Sequence, residues 1–173
     1  LDEAYMDFSD QSLLEECQAY DNLLILRTCS KAFGLAALRL GFAVGQKRLV
    51  DAVKAVKSPY NVNTLSQSLG TLVLRHPQAI REALEKILHS REQLTAGLQE
   101  LCRVFPNRFT LLPSATNFAA LHMAEGKELY QYLGEQGIAV RYTGGLVRIT
   151  CGTSQENQVV LAKIREFLEN RGA

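Results

Sequence analysis

One stretch of the sequence, Thr28-Cys29-Ser30-Lys31-Ala32-Phe33-Gly34 followed by Leu38-Arg39-Leu40-Gly41-Phe42, places a lysine eight residues before an arginine. Lys31 comes just after the continuous apolar run of residues 23–27, which is typical of a buried parallel strand. Ligands of open α/β sheets gather at the carboxyl ends of strands. A lysine amine held at such a point can condense with an aldehyde. The stretch therefore predicts an α/β sheet with a cofactor site at Lys31.

Hydroxyls and a fixed cation accompany this lysine, and they suit a phosphate. A guanidinium offers a rigid fork of donors to phosphate oxygens, and serine or threonine adds hydroxyl donors. We therefore expect Arg39, Ser30 and Thr28 to surround the phosphate of the cofactor. Thr28 is the weakest of these three assignments, because its hydroxyl can instead shape the loop.

These residues resemble a known family. The words Ser-Lys-Ala-Phe-Gly-Leu and Leu-Arg-Leu-Gly-Phe resemble the lysine segment of fold-type I enzymes that use pyridoxal 5'-phosphate (PLP), most closely histidinol-phosphate aminotransferases of class I/II. Leu1-Asp2-Glu3-Ala4-Tyr5 resembles the family's Asp-Glu-Ala-Tyr, and Val147-Arg148-Ile149-Thr150-Cys151-Gly152-Thr153 resembles its Leu-Arg-Ile-Thr-x-Gly-Thr. The three matches follow the family order. They span the whole chain, but only the C-terminal half of such an enzyme.

The resemblance implies an α/β fold of two parts. Residues 1–80 would be the C-terminal part of the PLP-binding large domain, which has a mostly parallel sheet and is incomplete here. Residues 81–173 would be the α+β small domain. Because the sequence begins without methionine in what reads as the end of a strand, we expect the chain to be a fragment.

Composition narrows the class of protein. The chain has 173 residues, of which 47% are hydrophobic, so it can bury a core. Its net charge is +1 with scattered basic residues, which argues against a nucleic-acid partner. Four dispersed cysteines and three dispersed histidines favour reduced thiols and no metal site. No run suits a membrane span, so we expect a soluble, cytoplasmic protein without a membrane partner.

Hydrophobic spacing predicts the remaining elements. Pro77 suits the start of a long amphipathic helix, and the Pro/Asn-rich residues 58–63 suit a loop. We expect helices at residues 13–20, 46–55, 65–73, 78–101, 127–136 and 155–170, and strands at residues 23–27, 42–45, 110–112, 117–121, 138–142 and 146–150.

The resemblance assigns roles to three residues of the cofactor site. Lys31 would form the Schiff base with PLP and then move the proton at the substrate α-carbon, as nucleophile and general base in turn. Asp2 would keep the pyridine nitrogen protonated, so that the ring can accept electrons. Tyr5 would hydrogen-bond the phenolic oxygen of the cofactor.

A second pair of residues can be argued from geometry. If Gly144-Gly145 forms a two-residue hairpin turn, Arg141 pairs with Arg148 on one face of the hairpin. The other face then carries only apolar or weakly polar side chains: Ile138, Val140, Tyr142, Val147, Ile149 and Cys151. Directly opposed like charges destabilise a hairpin unless an anion lies near them. The pair therefore predicts an anionic substrate.

The resemblance extends the assignment of substrate residues. Arg148 would bind the α-carboxylate of a carboxylate substrate, and Arg141 would contact the phosphate of histidinol phosphate. The segment between the two arginines is shorter than in most relatives. Asn117 would lie near the substrate, and Tyr60, with Asn61, would lie in a loop that approaches it.

The function implied is a homodimeric aminotransferase of histidine biosynthesis that moves an amino group between L-histidinol phosphate and 2-oxoglutarate. Two alternatives stay open within PLP chemistry, an aromatic amino-acid aminotransferase and a decarboxylase of an amino-acid phosphate. A third is that the 173 residues alone form a folded but catalytically inert fragment, because several cofactor contacts of the family precede Asp2.

Overall fold

The computed structural model of the chain describes residues 1–9 and 11–171. The chain divides into two compact units, Leu1–Leu84 and Glu85–Ala173. The sequence placed this division between residues 80 and 81, and residues 172 and 173 of its second domain lie outside the described residues. No helix in the described part of the chain is long and apolar enough to cross a membrane.

The first unit is built on two strands, β1 (Leu24–Thr28) and β2 (Gly41–Gly45). They pair antiparallel, with Leu24 opposite Gly45 and Thr28 opposite Gly41. On the other side of β1, Asp2 forms a parallel bridge with Leu26. The connection at residues 29–40 closes on itself through the Cys29 N–H, which donates to the Leu40 carbonyl at 3.0 Å. No crossover helix joins β1 to β2, and such a short connection favours antiparallel strands. The parallel neighbour that the sequence predicted for β1 is therefore the Asp2 segment, whereas β2 is antiparallel to β1.

Two helices follow in this unit, α1 (Lys47–Val56) and α2 (Thr64–Leu74). The Asn63 side chain caps α2 by accepting from the Ser66 N–H at 2.9 Å. The helix predicted at residues 13–20 is wrong, since only a 3-10 turn forms there, at Glu16–Gln18. Eight residues make a marginal helix unless an apolar face is packed, and only Cys17 of this segment is buried.

A 28-residue helix, α3 (Pro77–Val104), passes through the division between the units. Pro77 stands in its first turn, where a missing N–H costs no hydrogen bond. The sequence predicted this helix at residues 78–101. Of its apolar positions, only Leu94, Leu98 and Leu101 are fully buried.

The second unit is an α+β structure with a four-stranded sheet in the order β3-β4-β6-β5. The strands are β3 (Thr110–Leu112), β4 (Phe118–His122), β5 (Arg141–Thr143) and β6 (Leu146–Thr150), and every neighbouring pair is antiparallel. Helices α4 (Gly126–Glu135) and α5 (Ser154–Glu169) complete the unit. Its core consists of α3 leucines, the inward residues of β4 and β6, and apolar residues of α4 and α5.

Strand β5 differs from its prediction. It begins at Arg141, three residues later than expected, because the chain leaves α4 through Gly137 with φ of +76° and stays irregular until residue 141. Ile138 and Val140 nevertheless pack against the core. Their burial, which the alternation pattern anticipated, does not require a strand.

Candidate functional site

The N-terminal segment lies along β1 and is held there by its backbone. The Leu26 N–H donates to the Leu1 carbonyl and the Glu3 N–H donates to the Leu26 carbonyl, both at 2.9 Å. Because successive side chains of an extended segment point to opposite faces, Asp2 is exposed and Glu3 is buried. The segment that carries Asp2 and Tyr5 thus runs beside the strand that leads to Lys31.

Lys31 and Tyr5 come together in the structure. The Lys31 Nζ atom lies 5.3 Å from the centroid of the Tyr5 ring, within the range of a cation–π contact. Lys31 is exposed and Tyr5 is half-buried. The exposed Asp2 carboxylate accepts a hydrogen bond from the Ala4 N–H at 2.9 Å. The structure therefore brings Tyr5 to Lys31, and Asp2 lies three residues before Tyr5 in the same segment.

The residues predicted around the phosphate lie at the base of the loop between β1 and β2. The Thr28 hydroxyl accepts from the Ser30 N–H at 3.1 Å, so it shapes the loop. Arg39 precedes Leu40, which pairs with Cys29 through the backbone. The Arg39 backbone is left-handed, with φ of +51°, and the Arg39 guanidinium donates to the Ala36 carbonyl at 2.9 Å. Ser30 and Arg39 thus flank the closed base of this loop.

Sequence reasoning missed a charged cluster next to this site. The Glu3 carboxylate accepts hydrogen bonds from the Leu13 N–H at 2.9 Å, the Ser12 hydroxyl at 2.8 Å and Arg27 Nη1 at 2.7 Å. Arg27 Nη2 also donates to Asp7 at 2.5 Å. An arginine at the end of the apolar run of residues 23–27, and an acid next to Asp2, were the only sequence signals.

These contacts shift two pKa values in opposite directions. Burial raises the pKa of the Glu3 carboxyl, but hydrogen bonds from Leu13, Ser12 and Arg27 outweigh it and hold the pKa below its ordinary value. Burial likewise works against the charged form of Arg27, and the carboxylates of Glu3 and Asp7 outweigh it and raise the pKa of the guanidinium. Both shifts favour the charged forms of Glu3 and Arg27.

We expect Glu3 to make the protein sensitive to acid. Because its pKa is lower in the folded chain than in the unfolded chain, its contribution is complete above its ordinary pKa of about 4.3 and is lost as the pH falls through the folded value. Glu3→Gln should cost about 1.5 to 3 kcal/mol of unfolding free energy at pH 7. Urea unfolding measured at pH 7 and at about pH 2 should show the difference from the original protein shrinking in acid.

Glu92→Gln, at an exposed position of α3, is the matched control and should leave the pH profile unchanged. A difference between Glu3→Gln and the original protein that stays constant down to the lowest pH would contradict the contribution of the Glu3 charge.

In the second unit the predicted hairpin is confirmed. Gly144 and Gly145 both have positive φ, +58° and +78°, as a two-residue hairpin turn requires. Arg141 is paired with Arg148, as the sequence predicted. The Arg148 guanidinium carbon lies 4.0 Å from the centroid of the Phe118 ring, and the Arg148 Nε atom is buried without a hydrogen-bond partner among the described residues. Stacking on Phe118 thus fixes Arg148, while Arg141 stays exposed.

The last two predicted substrate residues are placed differently. Asn117 comes directly before β4, and its carbonyl accepts from the Cys151 N–H at 3.0 Å, which ties it to the strand that carries Arg148. Tyr60 belongs to the first unit, where it is 95% exposed and has a left-handed backbone with φ of +61°. The structure therefore groups Asn117 with the arginine pair but leaves Tyr60 on an exposed loop.

A buried polar network behind β6 was also missed. The Asn157 side chain accepts from the Gly152 N–H at 2.9 Å and donates to the carbonyl and the hydroxyl of Ser90 at 3.1 and 2.9 Å. The Ser90 hydroxyl in turn donates to the Gly152 carbonyl. This network joins α3 and α5 to the segment that follows Arg148.

The described residues contain no group of three or more His, Cys, Asp or Glu side chains that could hold a metal ion. All four cysteines are free thiols, with Cys17 and Cys29 buried. The segment of residues 28–39 supplies an amine, hydroxyls and a guanidinium, and the N-terminal segment supplies a carboxylate. These functional groups suit a cofactor with an aldehyde and a phosphate better than a metal ion.

Comparison with known proteins identifies the family of this chain. Residues 1–164 match the family model of aminotransferase class I and II. A histidinol-phosphate aminotransferase of Synechococcus sp. strain JA-2-3B'a(2-13) is 39% identical over 171 residues, which cover 98% of this chain and 47% of the relative. The chain spans about half the length of the curated relatives it matches.

Solved structures show the same architecture. The histidinol-phosphate aminotransferase of Clostridium acetobutylicum superimposes with a TM-score of 0.86 at 22% identity, covering 98% of this chain and 53% of that chain. The L-threonine-O-3-phosphate decarboxylase of Porphyromonas gingivalis superimposes with a TM-score of 0.80 at 25% identity, covering 98% of this chain and 54% of that chain. One fold in these relatives thus serves both amino transfer and decarboxylation.

Proposed function

Because the chain belongs to the aminotransferase class I and II family, we propose that it supplies the lysine and the substrate arginines of an enzyme that moves an amino group between L-histidinol phosphate and 2-oxoglutarate. The observation that carries the proposal is the pairing of Arg141 with Arg148 across the Gly-Gly hairpin. A homodimer of the complete enzyme is part of the same proposal, because membership of this family implies one.

The residues of the first unit suit PLP. Arg39 and Ser30 offer charged and neutral donors to its phosphate, Asp2 offers a carboxylate to its pyridine nitrogen, and Tyr5 offers a phenol. When bound, PLP supplies an aldehyde to the substrate amine and a ring that accepts electrons. The contact of Lys31 Nζ with the Tyr5 ring supports a shared position for these two residues.

Lys31 has two tasks in this proposal. In its neutral form the Lys31 amine would hold PLP at the aldehyde until a substrate amine takes its place. The released Nζ takes the proton from the substrate α-carbon and returns one later, as a general base and then a general acid. An exposed amine at the end of β1 suits this movement, because it is not held in an ion pair in the described structure.

The substrate arginines divide the work by position. Arg148 is fixed over Phe118 and suits the α-carboxylate of 2-oxoglutarate and glutamate, whereas the exposed Arg141 suits the phosphate of histidinol phosphate, which has no carboxylate. Asn117, next to Phe118, is part of the same proposal. Tyr60 is proposed as a substrate contact on the resemblance alone.

A decarboxylase of an amino-acid phosphate is the second candidate, and the Porphyromonas relative favours it. Such an enzyme also needs cations for a phosphate and a carboxylate, so the arginine pair does not exclude it. The products separate the two, since transamination yields glutamate from 2-oxoglutarate and decarboxylation yields carbon dioxide. An aromatic amino-acid aminotransferase would need no phosphate contact at Arg141.

The arginines are tested in what we call the complemented enzyme, which joins this chain to the part of the Synechococcus relative that the match leaves uncovered. We expect Arg148→Ala to lower kcat/KM for every carboxylate substrate, and Arg141→Ala to lower it chiefly for histidinol phosphate. Loss of one charge-assisted fork costs about 1.5 to 3 kcal/mol, or roughly ten- to a hundredfold. Glutamate production from 2-oxoglutarate with phosphorylated and unphosphorylated donors gives the measurement.

Arg103→Ala is the matched control, because Arg103 is an exposed arginine of α3 paired with Glu100. It should leave both donors unchanged. Equal losses for both donors in Arg141→Ala would refute the phosphate role and favour an aromatic aminotransferase. The chain without its complement is the baseline, and catalysis by it above the rate of free PLP would refute the proposal that it is inert alone.

A further inference from the structure

We propose that Glu3, Arg27 and Asp7 form a clamp that sets the position of Asp2 and Tyr5 relative to Lys31. Glu3 and Arg27 are thus positioning residues of the cofactor site, and neither touches the reacting atoms. The proposal rests on the proposed function for the identity of the cofactor. Its geometry stands on contacts of the first unit alone.

The Glu3 carboxylate is completely buried. Its side chain is 0% exposed, and it accepts hydrogen bonds from Ser12, Leu13 and Arg27. A buried carboxylate is costly unless donors surround it. These donors come from the loop after the N-terminal segment and from β1, so Glu3 fixes its own segment to both.

Arg27 bridges two carboxylates, those of Glu3 and Asp7. Its guanidinium binds Glu3 through Nη1 and Asp7 through Nη2. Glu3 and Asp7 stand two residues before and two residues after Tyr5. One rigid, planar fork therefore holds both ends of the turn that presents the Tyr5 ring.

The clamp is connected to Lys31 through β1. Arg27 lies in β1, four residues before Lys31, and Leu26 next to it pairs with Asp2. Since Glu3 faces inward, Asp2 faces outward by alternation. The strand that carries the clamp thus also leads to the lysine, whose Nζ atom lies 5.3 Å from the centroid of the Tyr5 ring.

The clamp works as a set, because each member leaves charge uncompensated when it is removed. Arg27, 19% exposed, faces two carboxylates. One oxygen of Asp7 is already buried without a hydrogen-bond partner in the described structure. Loss of the Arg27 fork would leave both carboxylates poorly paired, and the turn around Tyr5 would open to hydrate them.

The experiment has two measurements, the first on the 173-residue chain and the second on the complemented enzyme. Without cofactor, nuclear Overhauser contacts between the Tyr5 ring protons and the Lys31 side chain report the position directly. With PLP, borohydride reduction and peptide mapping give the share of label on Lys31 compared with the exposed Lys54. In Glu3→Gln and in Arg27→Lys, we expect the Overhauser contacts to disappear and the Lys31 share to fall roughly tenfold or more, as loss of a charge-assisted bond implies.

Arg27→Lys keeps the positive charge but replaces the rigid planar fork with a single nitrogen on a flexible stem. It therefore tests the clamp even if Glu3→Gln fails to fold, and circular dichroism monitors folding. Asn157→Ala is the matched control, since it breaks a buried polar network of the second unit. It should leave both measurements unchanged.

Each outcome decides a different point. Overhauser contacts that persist in folded Glu3→Gln and Arg27→Lys would overturn the clamp. Contacts that disappear while the Lys31 share is unchanged would reduce the cluster to a structural element and overturn its positioning role. Label on another lysine in the complemented enzyme without substitutions would refute the proposed function, and the Overhauser contacts would still decide whether the clamp exists.

Discussion

Lys31→Ala is expected to remove transamination from the complemented enzyme and to eliminate the pyridoxyl label after borohydride reduction. The substitution removes the amine that holds the cofactor and the group that moves the proton at the α-carbon. General acid–base catalysis by one positioned side chain contributes about 10²- to 10⁴-fold, so kcat should fall by at least this range. Steady-state kinetics and peptide mapping of the reduced protein are the measurements.

Two further variants separate the chemistry of Lys31 from its charge. Lys31→Arg keeps a cation that can still contact the Tyr5 ring, but a guanidinium does not deprotonate in proteins and so cannot condense with an aldehyde or accept a proton. It should be as inactive as Lys31→Ala. Lys54→Ala, in α1, should retain full activity. Turnover retained by Lys31→Ala, with label on a different lysine, would overturn the site.

Leu98→Ala is expected to destabilise the second unit by about 2 to 5 kcal/mol. Leu98 lies in α3, is 0% exposed and belongs to the core with the buried residues of β4, β6 and α5. Truncation loses the transfer free energy of the removed carbons and leaves a cavity that a close-packed core fills only in part. Hydrogen exchange at the Val147 and Ile149 amides of β6 reports the local free energy of opening.

Leu72→Ala is the matched control for this prediction. Leu72 belongs to α2 of the first unit and is 54% exposed, so its truncation should change stability by no more than about 0.5 kcal/mol. Equal losses in the two variants would mean that Leu98 does not occupy the core of a separately stabilised unit.

Local patterns predicted elements well where one segment decides its own conformation. The long apolar periodicity around Leu94, Leu98 and Leu101 predicted α3 within three residues at its C-terminal end. Strand β3 and strand β6 have the predicted bounds. The predicted pairing of Arg141 with Arg148 is confirmed, because two glycines with positive φ fix the register of the strands they join.

The failures occur where distant contacts decide. The helix expected at residues 13–20 is only a short 3-10 turn, and part of this segment instead gives the Leu13 N–H to Glu3. The start of β5 depends on how the chain leaves α4. The division between the units lies inside a continuous helix, and a helical pattern carries no signal there.

The sequence alone determined which residues are candidates for the site: a lysine after a strand, hydroxyls and a guanidinium in one loop, and two arginines facing each other across a turn. These features are local, so residue spacing and glycine conformation are sufficient to define them. The tertiary structure decided the partners of Glu3 and the stacking of Arg148 on Phe118. Arg27 lies 24 residues from Glu3, and their pairing exists only because folding brings the N-terminal segment beside β1 and excludes water from both charges.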